Sequence, residues 1–119
     1  MSEFDNKTAV VTGAAGALGR AVADIFHESG ARVIGVDVVP FEAAYEIHQA
    51  DLIDPEGAKQ VVKSVGAIDI LANVAGGFTM GDSVADTSDD TWDFMFNLNA
   101  RTVLNMARAV VPHMVERKS

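Results

Sequence analysis

Thr8–Thr12 (Thr-Ala-Val-Val-Thr) runs straight into Gly13-Ala14-Ala15-Gly16-Ala17-Leu18-Gly19, and few folds accommodate so apolar a run followed by so small a turn. The run does not alternate, which is the pattern of a strand buried on both faces. After the glycines the period changes. Leu18, Val22, Ile25 and Phe26 fall at helical spacing, and Gly30 supplies a C-terminal stop. Small residues at such a junction let the first turn of the helix approach the strand end closely. They also leave its unbonded N–H groups and positive dipole end open to an anion such as a pyrophosphate. A turn that is glycine-rich only for packing would carry the same residues. Position favours the phosphate reading, because this loop opens the first strand–helix–strand unit.

The alternation continues down the chain. Arg32–Asp37 reads as a second buried strand, and Glu46–Asp51 as a weaker third with alternation through Ile47. Asp54 and Pro55 supply an N-cap and a first helical residue, Ala58, Val61, Val62 and Val65 form one face, and Gly66 ends the helix. Ile68–Asn73 reads as a fourth strand, followed by a loop over 74–86. Thr87 and Asp90 have capping-box spacing for a long last helix that runs toward Arg117 and is bent or interrupted at Pro112. Its apolar stripe is Trp92, Met95, Phe96, Val103, Met106, Val110 and Met114. Asn99 falls on that stripe, and a buried amide must find partners. Strands separated by helices of this length pair in parallel through right-handed crossovers. The expected fold is α/β, a doubly wound parallel sheet with helices on both faces, in a single domain over residues 1–119.

Composition narrows the partners. The chain has 119 residues, of which 49% are apolar and 22% charged, an ordinary globular balance. A net charge of −8 disfavours a nucleic acid or an anionic membrane as partner. The absence of cysteine excludes disulfides and thiolate ligands, and His27, His48 and His113 show no metal-ligand spacing, so no metal is expected. The polar start, Met1 to Lys7, is unlike a signal peptide, and no apolar stretch has membrane-spanning length, so a cytoplasmic location is expected.

Asp37 ends the second strand, where a carboxylate can accept hydrogen bonds from both hydroxyls of an adenosine ribose and would repel a 2′-phosphate. Val38 and Val39 follow, so no neighbouring cation offsets it, and NAD rather than NADP is the expected cofactor. An aspartate that merely ends a strand and caps a turn is the plainer alternative.

Thr12-Gly13-x-x-x-Ala17-x-Gly19 resembles the Thr-Gly-x-x-x-Gly-x-Gly signature of the short-chain dehydrogenase/reductase family, with Ala17 in place of the middle glycine. Asn73-Val74-Ala75-Gly76 resembles that family's Asn-Asn-Ala-Gly, with Val74 replacing the second asparagine. Trp92-Asp93-x-x-x-x-Leu98-Asn99 resembles its helix bearing the active-site asparagine. The resemblance implies a Rossmann-type fold, with four strands in the order 3-2-1-4 and the fourth left as an edge, and a set of roles. Gly13, Leu18 and Gly19 would hold the pyrophosphate, with Gly16 and Ala17 lining the turn. Asp37 would take the ribose, and Asp51 and Leu52 the adenine. Asn73, Ala75 and Gly76 would lie beside the two riboses, and the main chain of Asn99 would hold a water linked to a catalytic lysine.

The family's chemistry also needs Tyr-x-x-x-Lys after a fifth strand, with a serine before it. The single tyrosine is Tyr45, followed four residues on by Gln49, so the resemblance covers about the first half of a family member. The expectation is a truncated oxidoreductase whose complete form moves hydride between NAD and a secondary alcohol or carbonyl. An open fourth strand and an uncovered face at Val103, Met106 and Val110 would make it self-associate as a homo-oligomer. Two rivals remain open: a short NAD-binding or oligomerising module without catalysis, and another doubly wound enzyme such as a methyltransferase with Asp37 on its ribose.

Overall fold

A computed structural model describes residues 4–75 and 88–117, apart from the side chain of Met95. The elements are β1 (Thr8–Thr12), α1 (Ala17–Glu28), β2 (Arg32–Asp37), β3 (Glu46–Gln49), α2 (Pro55–Val65), β4 (Ile70–Ala72), α3 (Asp89–Phe96), a π turn (Asn97–Arg101) and α4 (Thr102–Arg117). The four strands form one parallel sheet in the order β3-β2-β1-β4, as expected, with Val10 of β1 in register with Ile34 on one side and Leu71 on the other.

β1 and β2 are buried on both faces, which is why their sequences do not alternate. Ala9, Val11 and Val33 point toward α1 and pack with Ala23, Phe26 and Tyr45. Val10, Ile34 and Val36 point the other way, into a cluster with Ala58, Val61 and Val65 of α2 and with Met106 and Val110 of α4. α1 therefore covers one face, and α2 with α4 the other, with the sheet between them.

The two outer strands are shorter than their sequences suggest. β3 stops at Gln49 rather than Asp51, because the Asp51 carboxylate accepts a hydrogen bond from the Ile53 N–H at 3.0 Å and bends the chain. β4 keeps only Ile70–Ala72 of the expected Ile68–Asn73. On its near side, Asp69 closes the ladder through its carboxylate, which accepts from the Thr8 N–H at 2.9 Å. On its far side, the backbone leaves the sheet to bond with Thr12.

The helix ends follow local chemistry. Asp54 accepts from the Glu56 N–H at 3.0 Å, Pro55 is the first residue of α2, and Gly66 ends it at φ 87°. The cap of α3 is Ser88, whose hydroxyl accepts from the Thr91 N–H at 3.1 Å. That is one residue after the expected cap, Thr87, which lies outside the described residues. In α1, Val22 and Phe26 pack against the sheet as expected, Leu18 and Ile25 are largely exposed, and the fully buried positions are Gly19 and Ala23. At Gly19 the helix lies too close to the β1–α1 turn for any side chain.

The last helix departs most from expectation. It runs through Pro112 without interruption, and its irregularity falls at Asn97–Arg101, where the turn widens. One residue accommodated in a wide turn rotates all that follows by ~100° about the axis. The expected single stripe is therefore split. Trp92 and Phe96 are exposed, Val103 is only partly covered, and Met106 and Val110 are buried beneath α2, not left open for a missing partner. Asn99 is exposed, and the buried amide of this helix is Asn105, at 2% exposure.

Arg117 fastens the end of α4 to the start of β4, donating to the Ile68 carbonyl at 3.0 Å and to the Asp69 carboxylate at 2.6 Å. The Thr8 amide bond, and then this guanidinium, hold the Asp69 carboxyl below its ordinary 3.8. A carboxylate whose folded pKa is depressed stabilises the fold above its unfolded pKa, and that contribution fades as pH falls toward the folded value. Asp69→Asn is thus expected to be less stable than the parent at neutral pH. In urea titrations across the acid range, the gap should close as pH drops below 3.8; a constant gap would contradict this account. Among the described residues, no helix is long and apolar enough to cross a membrane.

Candidate cofactor-binding site

The site begins with the turn after β1. Gly13 has φ 68°, and a side chain there would stand 2.8 Å from the backbone of Ala75. A methyl on Gly19 would overlap the Gly13 carbonyl oxygen and lie 2.6 Å from its carbon. Both glycines are thus demanded by the protein's own packing. Gly16 is not: a methyl there would meet only the Gly13 oxygen, at an ordinary 3.5 Å. The missing side chain at Gly16 leaves room on the open side of the turn, where a ligand's phosphates would come close.

The start of α1 differs in kind from the starts of α2 and α3. Those two have a side-chain cap and acidic residues in the first turn, whereas α1 has Gly16 at the cap, no side-chain hydrogen bond there and no acid in its first turn. Its first intrahelical bond is Arg20 N–H to the Gly16 carbonyl at 2.9 Å, so the amides of Ala17, Leu18 and Gly19 precede the ladder. That is an arrangement suited to an anion.

Thr12 joins the two strand ends beneath this turn. Its hydroxyl accepts from the N–H groups of Val74 and Ala75, both at 3.0 Å, and fixes the backbone leaving β4 against the backbone leaving β1. The tether uses main-chain amides, so Val74 in place of a second asparagine does not undo it. Thr12 belongs to the recognisable motif, yet its structural role emerges only when β4 is seen beside β1.

Asp37 stands at the end of β2 with its carboxylate turned to the loop. One oxygen accepts from the Ala15 N–H at 3.0 Å and the other from the Val39 N–H at 3.3 Å. Gly13, Gly16, Ala17, Leu18, Gly19, Asp37, Asp51, Leu52 and Ala75 all line one cleft of about 710 Å³. That volume lies within the ~300–1,000 Å³ typical of small-molecule and cofactor sites. The predicted residues thus converge, with three exceptions. Asn73 is exposed at the end of β4 and is not part of the lining, Asn99 is exposed on the π turn, and Gly76 lies outside the described residues.

Sequence reasoning missed the opposite wall, formed by Phe94, Leu98 and Thr102. Their spacing of four is a helical signal, out of phase with the apolar stripe through Trp92 and Phe96. Tyr45 is not in the lining. It packs near His27, with ring centroids 5.8 Å apart, and burial together with nearby Asp24 raises its pKa above 10.0. Among the described residues, no three His, Asp or Glu side chains come together as metal ligands do.

The cleft lies outside the carboxyl ends of the strands, at the point where β1 is flanked by β2 on one side and β4 on the other. There the crossovers reverse direction, and doubly wound sheets bind nucleotides. Fold and site together define a nucleotide-binding domain of the Rossmann class.

Comparison with known proteins makes this specific. Residues 7–119 match the family model for short chain dehydrogenases, and the chain belongs to that family. It is 34% identical over 126 residues to dehydrogenase/reductase SDR family member 6 of Xenopus laevis, covering 100% of this chain and 51% of the relative. It is 36% identical over 133 residues to the oxidoreductase UcpA of Escherichia coli strain K12, covering 99% of this chain and 50% of that protein. The ligand-free aldohexose dehydrogenase of Thermoplasma acidophilum superposes with a TM-score of 0.87 at 28% identity, covering 97% of this chain and 47% of that one. The chain thus spans about half the length of the relatives it matches. Membership and fold imply a nicotinamide nucleotide as cofactor, and the uncapped α1 terminus and open Gly16 fit its phosphates.

Proposed function

We propose that this chain is the NAD-selective cofactor half of an oxidoreductase that interconverts a secondary alcohol and a carbonyl. The observation that carries the proposal is Asp37, a carboxylate set at the cleft by two backbone amides. The amides of Gly13, Leu18 and Gly19 would hold the pyrophosphate, with Gly16 and Ala17 clearing its path. Asp37 would accept from the adenosine ribose hydroxyls. Asp51 and Leu52 would flank the adenine, and Asn73, Ala75 and Gly76 the riboses. When bound, NAD supplies the hydride acceptor.

Asn99 sits on the π turn, a conformation often found at functional sites, so a role for its main chain remains part of the proposal. Proton transfer is another matter. Tyr45 lies outside the cleft, and no Tyr-x-x-x-Lys occurs in these residues, so this stretch alone should bind NADH without turning over alcohols. Calorimetric titration with NADH, paired with an assay over simple secondary alcohols, tests both halves. Failure to bind NADH would sink the proposal.

Among the described residues one side of β4 is unpaired, and this edge with the exposed Trp92, Phe96, Val111 and Val115 favours association with a second copy. Sedimentation should show a concentration-dependent rise above 12.6 kDa, whereas a monomer at all concentrations would contradict it.

A further inference from the structure

We propose that Asn105 is a positioning residue that sets the width of the cleft at its adenosine end. This rests on the cofactor reading above. Asn105 is buried at 2% exposure, and its amide nitrogen donates to two carbonyls in the β3–α2 turn, Leu52 at 2.8 Å and Ile53 at 3.0 Å. Both of those residues line the cleft. The same helical segment supplies the facing wall through Leu98 and Thr102. A single side chain therefore ties one wall of the cleft to the other.

The orientation of the amide is determined by its surroundings. Arg108 donates to the Asn105 oxygen, and a guanidinium has only donors, so the amide nitrogen must face the turn. The turn itself is closed from within by Ile53 N–H to the Asp51 carboxylate at 3.0 Å and Asp54 N–H to the Asp51 carbonyl at 3.3 Å. The Leu52 and Ile53 carbonyls take no part in that closure, and Asn105 bonds to both. Had the position needed only packing, an apolar side chain like neighbouring Met106 and Val110 would serve. A buried amide with three bonds instead specifies where the turn stands.

The test uses Asn105→Asp, which keeps the shape and the Arg108 contact but removes the donor to both carbonyls. AMP and NADH should both lose affinity by about tenfold, or ~1.4 kcal/mol, since the lesion lies at the adenosine end they share. Amide hydrogen exchange should accelerate at residues 52–56 and stay unchanged in β1 and β2. AMP affinity within twofold of the parent would overturn the proposal, as would exchange that rises equally throughout the sheet. If the variant does not fold, the side-chain amide resonances of Asn105 in the parent chain should shift as AMP is added, and an unmoved signal would overturn it. A parent chain that binds neither AMP nor NADH would overturn the cofactor reading and this proposal with it. Binding by the parent without loss in the variant overturns this proposal alone.

Discussion

Asp37→Ala should narrow the preference for NADH over NADPH by one to two orders of magnitude. Two unit charges of like sign ~4 Å apart at an effective dielectric near 20 repel by about 4 kcal/mol, and each 1.4 kcal/mol is tenfold. The carboxylate is only partly buried, so solvent and salt reduce that figure, which is why the expected change stops near a hundredfold. Two effects should combine: NADH weakens as the ribose loses its acceptor, and NADPH gains as the repulsion disappears. Asp37→Asn separates them, because it removes the charge while keeping an acceptor for the ribose. Parallel fluorescence titrations with the two reduced cofactors measure the ratio directly. A ratio the same in parent and alanine variant would mean that Asp37 only ends a strand.

Gly19→Ala is the more damaging change. The new methyl would overlap the Gly13 carbonyl, a backbone group held by the β1–α1 turn and unable to swing aside. Overpacking of this sort costs ~3 kcal/mol or more, a large fraction of a small domain's stability. Gly16→Ala is the matched comparison. Its methyl meets one oxygen at 3.5 Å and the backbone there is already extended, so stability should change by only about 0.5 kcal/mol. NADH affinity should nonetheless fall, because the methyl occupies the open side of the turn. Urea melts and NADH titrations on both variants give a crossed pattern, with stability lost at Gly19 and binding lost at Gly16. Loss of stability at both positions, or at neither, would contradict the division of roles between these glycines.

Much of the architecture could be read from residues alone, for physical reasons that differ by element. β1 and β2 are buried on both faces, so their apolar runs mark their bounds without ambiguity. α2 carries its own punctuation in Asp54, Pro55 and Gly66. The parallel pairing followed from the helical crossovers, whereas the strand order, in which the connection from β3 to β4 passes back over two strands, is what the family resemblance implied. Where the reading failed, the deciding interaction was remote in sequence. The bounds of β4 depend on Asp69 meeting Thr8 and on Thr12 meeting Val74 and Ala75. The phase of the last helix depends on a π turn that no single residue announces. That turn moved burial from Asn99 to Asn105 and hid the wall made by Phe94, Leu98 and Thr102. At the site, the residues of local motifs were legible, whereas the helix that faces them was not.

The hydroxyl of Thr12 has a consequence for how the protein is born. It meets Val74 across 62 residues of chain. At ~5–20 residues per second, a ribosome needs roughly 3–12 s to deliver the second partner after the first. Until then β1 has β2 on one side and a bare edge on the other, and the floor of the cleft under Gly13 does not exist. The facing wall of the cleft, which Phe94, Leu98 and Thr102 supply, comes later still. Changes that slow translation between the codons for Thr12 and Val74 lengthen the time that this edge stays open, and should lower the soluble yield without altering the finished protein.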